Sequence, residues 1–87
     1  MWYVYIVECS DKNKSLYTGT TNDIEKRLAK HNAGKGAKFL RGRTPVTLKK
    51  YFEVETKSSA LKLEYKIKQL PRDEKLTYDL NSRKPTT

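Results

Sequence analysis

Tyr5, Tyr17, Arg27, His31 and Glu64 are the side chains on which this 87-residue sequence offers chemistry. A phenol or an imidazole can carry a proton to or from a reacting group. An ordinary tyrosine has a pKa near 10, so it works as a base only beside cations or a hydrogen-bond acceptor. Arginine presents a planar fork of donors that matches phosphate oxygens. A further feature is the basic stretch GKGAKFLRGR, where Lys35, Lys38, Arg41 and Arg43 are spaced by three glycines. Cations spaced along such backbone suit docking on a nucleic-acid chain, where phosphate contacts position the molecule without reading bases.

Each of these residues also has an ordinary structural reading. Tyrosines in hairpins pack their rings and leave the hydroxyl at the rim. Arg27 follows Asp23 by four residues, so an ion pair along a helix is open to it. A histidine near a helix C-terminus interacts favourably with the dipole. Glu64 stands among Lys62, Lys66 and Lys68 and reads equally as one member of a salt-bridged face. The basic stretch reads equally as a highly soluble surface.

The elements that would position these groups follow from periodicity. WYVYIVEC (residues 2–9) is β-branched and aromatic, which predicts a strand with Tyr3, Tyr5 and Val7 on one face and Trp2, Val4 and Ile6 on the other. SDKNKS is a polar turn, and SLYTGTT (15–21) returns as a second strand, so the hairpin brings Tyr5 and Tyr17 together. Asn22 with Glu25 three residues on forms a variant capping box, and Asn32, Ala33 and Gly34 close the helix it starts. On that helix Ile24, Arg27, Leu28 and His31 share a face. Residues 34–45 form a basic connection with one short helical turn around 38–40, and VTLKKYFEVE (46–55) is a third strand. Ser58 or Ser59 caps the helix SALKLEYKIKQL, which Pro71 stops. Its buried stripe is Ala60, Leu63, Ile67 and Leu70, with Glu64 one position to the side. A weaker amphipathic helix over 72–80 uses Leu76 and Leu80.

Composition bounds the answer. The length admits one domain, read as residues 1–80 with 81–87 as a loose tail, and its core is small. A charged fraction of 33% against 36% hydrophobic leaves room for helices on one sheet but not for a deep cofactor cavity, so an open surface site is expected. The net charge of +9 points to polyanions, with nucleic acid first. An anionic membrane is disfavoured, because no basic helix has an aromatic-rich opposite face, and no apolar run is long enough to span one. Lone Cys9 and lone His31 exclude a zinc finger, and the cysteine usage together with the lack of a secretory pattern suggests a cytoplasmic protein. No phosphate-loop lysine follows the glycines, so no nucleotide cofactor is expected.

Arranged in this order, the residues are similar to a known family. YVY at 3–5 and YTG at 17–19 resemble the paired motifs that name the GIY-YIG nucleases. Arg27 and His31 stand where that family's helix carries an arginine and, in one branch, a histidine four residues later. Glu64 matches the helical glutamate that binds metal. The resemblance runs over residues 2–76 and is nearest to the small stand-alone bacterial members. Tyr3 replaces the first motif's glycine, Thr18 is the second motif's middle residue, and Thr20 stands where some relatives have a lysine. The missing lysine leaves open which group helps to deprotonate the nucleophile.

The resemblance implies an α+β, GIY-YIG endonuclease-like fold: a small three-stranded antiparallel sheet, hairpin plus third strand, flanked by helices. It implies divalent-metal-dependent cleavage of DNA phosphodiester bonds, with one Mg²⁺ or Mn²⁺ ion on Glu64. A lone carboxylate suits magnesium, which keeps most of its waters and borrows phosphate oxygens. Arg27 would hold the same phosphate; Tyr5 or Tyr17 would take the water's proton, Tyr5 being favoured with Tyr17 orienting the water; and His31, if neutral, would accept the phenol's proton. Branched or single-stranded DNA, read by shape in repair or recombination, is the expected substrate, with a protein partner possible for targeting. The alternative is a non-catalytic nucleic-acid-binding module of the same fold within a larger complex.

Overall fold

The computed structural model describes residues 1–78. Strand β1 (Trp2–Glu8) is the centre of a three-stranded antiparallel sheet, flanked by β2 (Leu16–Thr21) and β3 (Thr47–Val54) in the order β2-β1-β3. Helix α1 (Ile24–Asn32) follows β2, a single 3₁₀ turn (Lys38–Leu40) precedes β3, and helices α2 (Lys57–Lys68) and α3 (Arg72–Thr77) follow it. The architecture is the α+β arrangement read from the sequence. Leu80, the boundary at 80 and the tail 81–87 lie outside the described residues.

Alternation along β1 divides the core into two. Val4 and Ile6, fully buried, pack with Phe52 of β3 under Ala60, Leu63 and Ile67 of α2. Tyr5 and Val7 face the other way, against Leu40 and Val46, with Leu28 of α1 half-buried beside them. Period two on the strand and 3.6 on the helix therefore meet at one layer on each side of the sheet. A bulge between Ile6 and Val7 shifts the β3 register and leaves Tyr5 opposite Tyr51 on that side and Gly19 on the other.

Both helix starts differ from the sequence reading. Asp23, not Asn22, caps α1, accepting the Lys26 amide at 3.1 Å. Thr56, not a serine, caps α2 by accepting the Ser59 amide at 3.1 Å. In each case the residue with extended backbone one step before the first helical residue takes the role, as cap geometry demands. The α1 terminus is as expected: Gly34 adopts φ +78°, and the amides of Gly34 and Lys35 reach back to His31 and Lys30, closing a Schellman turn.

The glycine-punctuated connection is tied down at several points. Asn32 uses its side chain as a short backbone substitute, accepting the Val46 amide at 2.7 Å and donating to the Val46 carbonyl at 3.5 Å. At the far end, the Ser10 amide donates to Arg43 O at 2.9 Å, and Arg43 Nε meets Asp11 at 3.3 Å. This strap forms one wall above β1.

Fully buried Ile67 and 70%-exposed Tyr65 test the face assigned to α2. Ile67→Ala should cost about 2–5 kcal/mol in urea unfolding, and Tyr65→Ala should stay within about 0.5 kcal/mol of the parent. Equal costs would place the wrong face against the sheet.

Candidate functional site

A cleft of about 530 Å³ opens where β1, β2, α1, α2 and the strap converge. Tyr5, Tyr17, Arg27, His31 and Glu64 all line it. Residues separated by nearly the whole folded chain thus meet at one surface.

Tyr5 forms the floor. It is only 2% exposed, and its ring lies across Gly19, where an added Cβ would come within 2.5 Å of the phenol oxygen. No side chain larger than hydrogen fits at Gly19 without moving that phenol. Tyr5 Oη lies 2.9 Å from His31 Nε2. The other imidazole nitrogen, Nδ1, accepts the Ala37 amide at 3.2 Å. A backbone amide can only donate, so Nδ1 carries its lone pair and the neutral ring holds its proton on Nε2. His31 therefore donates to Tyr5. This corrects the expectation that neutral His31 accepts the phenol's proton. Gly36 makes the arrangement possible, since a Cβ there would fall on Nδ1 itself.

Electrostatics set the protonation states. Burial pushes the Tyr5 phenol well above the usual tyrosine range, and neighbouring Tyr17 adds to the rise. Arg27 pulls it down and Glu64 pushes it up, so both charges act on this one hydroxyl. Burial, and then the charge of Arg27, hold His31 below its ordinary value, which keeps the ring neutral. Tyr17 completes the aromatic cluster, its ring centroid 6.4 Å from Tyr5 and 5.9 Å from His31, with Phe39 stacked on it at 5.9 Å.

Arg27 is half-buried and, among the described residues, forms no ion pair. Asp23, its alternative partner, spends its carboxylate on the helix cap. Glu64 projects from α2 with its Oε1 2.5 Å from the Thr20 hydroxyl and its Oε2 2.7 Å from Lys68 Nζ. Among the described residues there is no group of three or more His, Cys, Asp or Glu able to enclose a metal. The donor set is one carboxylate beside one hydroxyl, which fits a hard cation that retains its waters and does not fit zinc.

The basic stretch divides. Lys35 lines the cleft, whereas Lys38 and Arg41 are exposed away from its lining. Arg43 is committed internally: it pairs with Asp11, donates to Phe39 O at 2.7 Å and lies 4.4 Å over the Phe39 ring. Elsewhere on the surface, Lys50 donates to Leu76 O and Lys66 sits over the Tyr78 ring. The cleft takes its other cations from Lys30 and Lys57. Lys30 was detectable, three residues after Arg27 on the same helix. Lys57 was hidden by placing the start of α2 too late.

Known proteins resemble this chain over nearly all of its described residues. The family model described as the GIY-YIG catalytic domain matches residues 1–78. A UPF0213 protein of Halobacterium salinarum is 53% identical over 75 residues, covering 86% of this chain and 95% of that protein. One from Clostridium perfringens is 56% identical over 77 residues, covering 87% and 80%. A solution structure of a UPF0213 protein from Bacillus halodurans superposes with TM-score 0.52 at 45% identity, covering 88% and 81% of the two chains. A second solution structure, of an E. faecalis protein, gives TM-score 0.59 at 38% identity, covering 87% and 79%.

Buried His31 makes stability depend on pH in a defined window. Its folded pKa lies below the unfolded value of about 6.5, so between the two the unfolded chain holds a proton that the native state does not. Stability is full above that value and falls as pH drops through it. Asp11, held low mainly by the Ser15 hydroxyl, titrates in a more acidic window. Urea midpoints recorded from pH 8 to pH 5 should therefore decline below about 6.5 in the parent and much less in His31→Gln. A parent profile as flat as the variant's would remove His31 from the interior.

Proposed function

Because the chain belongs to the GIY-YIG catalytic domain family, whose activity is endonucleolytic, we propose that it is a divalent-metal-dependent endonuclease. Its substrate in this reading is a DNA phosphodiester, selected by structure rather than sequence, in repair or recombination. The observation that carries the proposal is the shared cleft: two phenols, an imidazole, a guanidinium with no ion-pair partner among the described residues, and a carboxylate around one opening.

The residues divide the work as follows. Arg27 grips the scissile phosphate through its fork of donors, and Lys30, Lys35 and Lys57 hold flanking phosphates. Cations that contact backbone position a strand without reading its bases, which supports selection by shape. Tyr5 first releases its own proton to solvent through the open cleft, and its phenolate then receives the proton of the attacking water. Burial opposes its ionisation, and two groups work against burial: the His31 Nε2–H bond and the charge of Arg27. Tyr17, at the rim, orients the water. Glu64 is the ligand for Mg²⁺ or Mn²⁺, with Thr20 fixing one carboxylate oxygen. An ion bound there supplies Lewis-acid stabilisation of charge on the phosphoryl and departing 3′-oxygens.

A labelled panel of flap, junction, duplex and single-stranded DNA, with RNA alongside, tests the reading. Nicks should require Mg²⁺ or Mn²⁺, vanish with chelator and vanish in Glu64→Gln and Arg27→Ala. Tyr5→Phe should lose about 10²–10⁴-fold in rate, and Tyr17→Phe about tenfold, with the parent rate rising toward alkaline pH. Binding without nicks in every variant would make the protein a nucleic-acid-binding module instead. Affinity should fall steeply on a log–log plot against salt, and a flat line would remove the phosphate contacts.

A further inference from the structure

Glu64 is already neutralised. Its Oε2 contacts Lys68 Nζ at 2.7 Å, one turn further along α2, while Thr20 holds Oε1 from β2. The partners differ in freedom: the Glu64 side chain is 17% exposed and the Lys68 side chain 48%. The glutamate is therefore the anchored member and the lysine the one that can leave. Glutamate preceding lysine by four residues is the favoured order on a helix, and Lys68 lies in the last turn, where a cation is welcome. An exposed pair of this kind is nonetheless weak and readily exchanged.

A divalent cation at the same carboxylate would stand within a few ångströms of that ammonium, where like charges repel strongly. One must yield to the other. Lysine is also a flexible point-charge binder of phosphate, so a DNA strand entering the cleft offers Lys68 another partner. Resting on the reading of Glu64 as the metal ligand, we propose that Lys68 is an internal counter-ion that substrate draws off. Divalent cation and DNA then load together. Linkage makes the consequence quantitative: whatever factor DNA adds to metal affinity, metal adds to DNA affinity.

Lys66 provides the control. It carries the same charge two residues away, yet its Nζ sits 5.9 Å over the Tyr78 ring. Mn²⁺ binding, read by electron paramagnetic resonance of the free ion, should be measured for the parent, Lys68→Ala, Lys68→Arg, Lys66→Ala and Glu64→Gln. Each is measured with and without a short single-stranded oligonucleotide bearing non-cleavable linkages, and the oligonucleotide alone sets the baseline. Without DNA, Lys68→Ala should tighten Mn²⁺ about three- to tenfold, while Lys68→Arg and Lys66→Ala behave as the parent. The oligonucleotide should tighten Mn²⁺ in the parent, and by a clearly smaller factor in Lys68→Ala, where only the phosphate oxygens offered to the ion couple the two.

An unchanged or weaker affinity in Lys68→Ala overturns the proposal, and so does an equal gain in Lys66→Ala. Coupling of full size in Lys68→Ala also overturns it. In those outcomes Glu64→Gln still abolishes binding and the metal site stands. Mn²⁺ binding that survives Glu64→Gln, or fails in every variant, removes the metal site and this inference together.

Discussion

The bond between Tyr5 Oη and His31 Nε2 joins the central strand to the first helix, and the candidate site is arranged around it. Both partners are about 2% exposed, so each depends mainly on the other for a hydrogen bond, with little water to replace it. Leaving such a group unpaired costs about 1–3 kcal/mol, which makes the contact structural as well as chemical. It also restricts the surrounding backbone. Gly19 is needed on β2 because the phenol lies across it, and Gly36 is needed on the strap because the imidazole occupies the place of a side chain. The Ala37 amide then selects the tautomer. Two further segments, β2 and the strap, are thus committed to one ring pair.

Arg27 acts on that pair in one consistent direction. Its charge disfavours a protonated His31 and favours an ionised Tyr5. Burial agrees with it at the imidazole and opposes it at the phenol. The result is a neutral ring that donates to a phenol still carrying its proton, with the opposing influences both belonging to the same cleft. Phosphate, arriving with its own charge, changes the balance at Arg27 and hence at both rings.

Much of this was visible in the sequence, for reasons that differ by element. The sheet was legible because alternation along residues 2–9 assigns every side chain to a face, and because the polar turn permits only a hairpin. The shared face of Arg27 and His31 followed from helical spacing alone. The caps were misplaced because several adjacent residues, Asn22 and Asp23 or Thr56, Ser58 and Ser59, are chemically equivalent candidates. Only backbone angle separates them. The role of His31 could not be read because it depends on Ala37, whose contribution is a backbone amide and leaves no trace in residue type. Arg43 resembled its neighbours in a basic run, yet its partners Asp11 and Phe39 come from both near and far in the chain. Charge composition counts such a residue among the free cations until the fold commits it.

The placement of unpaired charge separates a site from a scaffold. A protein with net charge +9 gains little from one more cation in a half-buried position, where repulsion and desolvation both work against it. Arg27 occupies such a position without an acidic partner among the described residues, while nearby Asp23 is spent on a cap. Stability alone would favour pairing the two or replacing the arginine with an aliphatic residue like Leu28 beside it. Glu64 shows the complementary case, a carboxylate held by Thr20 at the cleft and balanced, among the described residues, by an exchangeable lysine. A cation with no anion among the described residues and an anion with a replaceable cation line the same opening. A ligand that carries both charges at once, a phosphate with its divalent counter-ion, satisfies the two together.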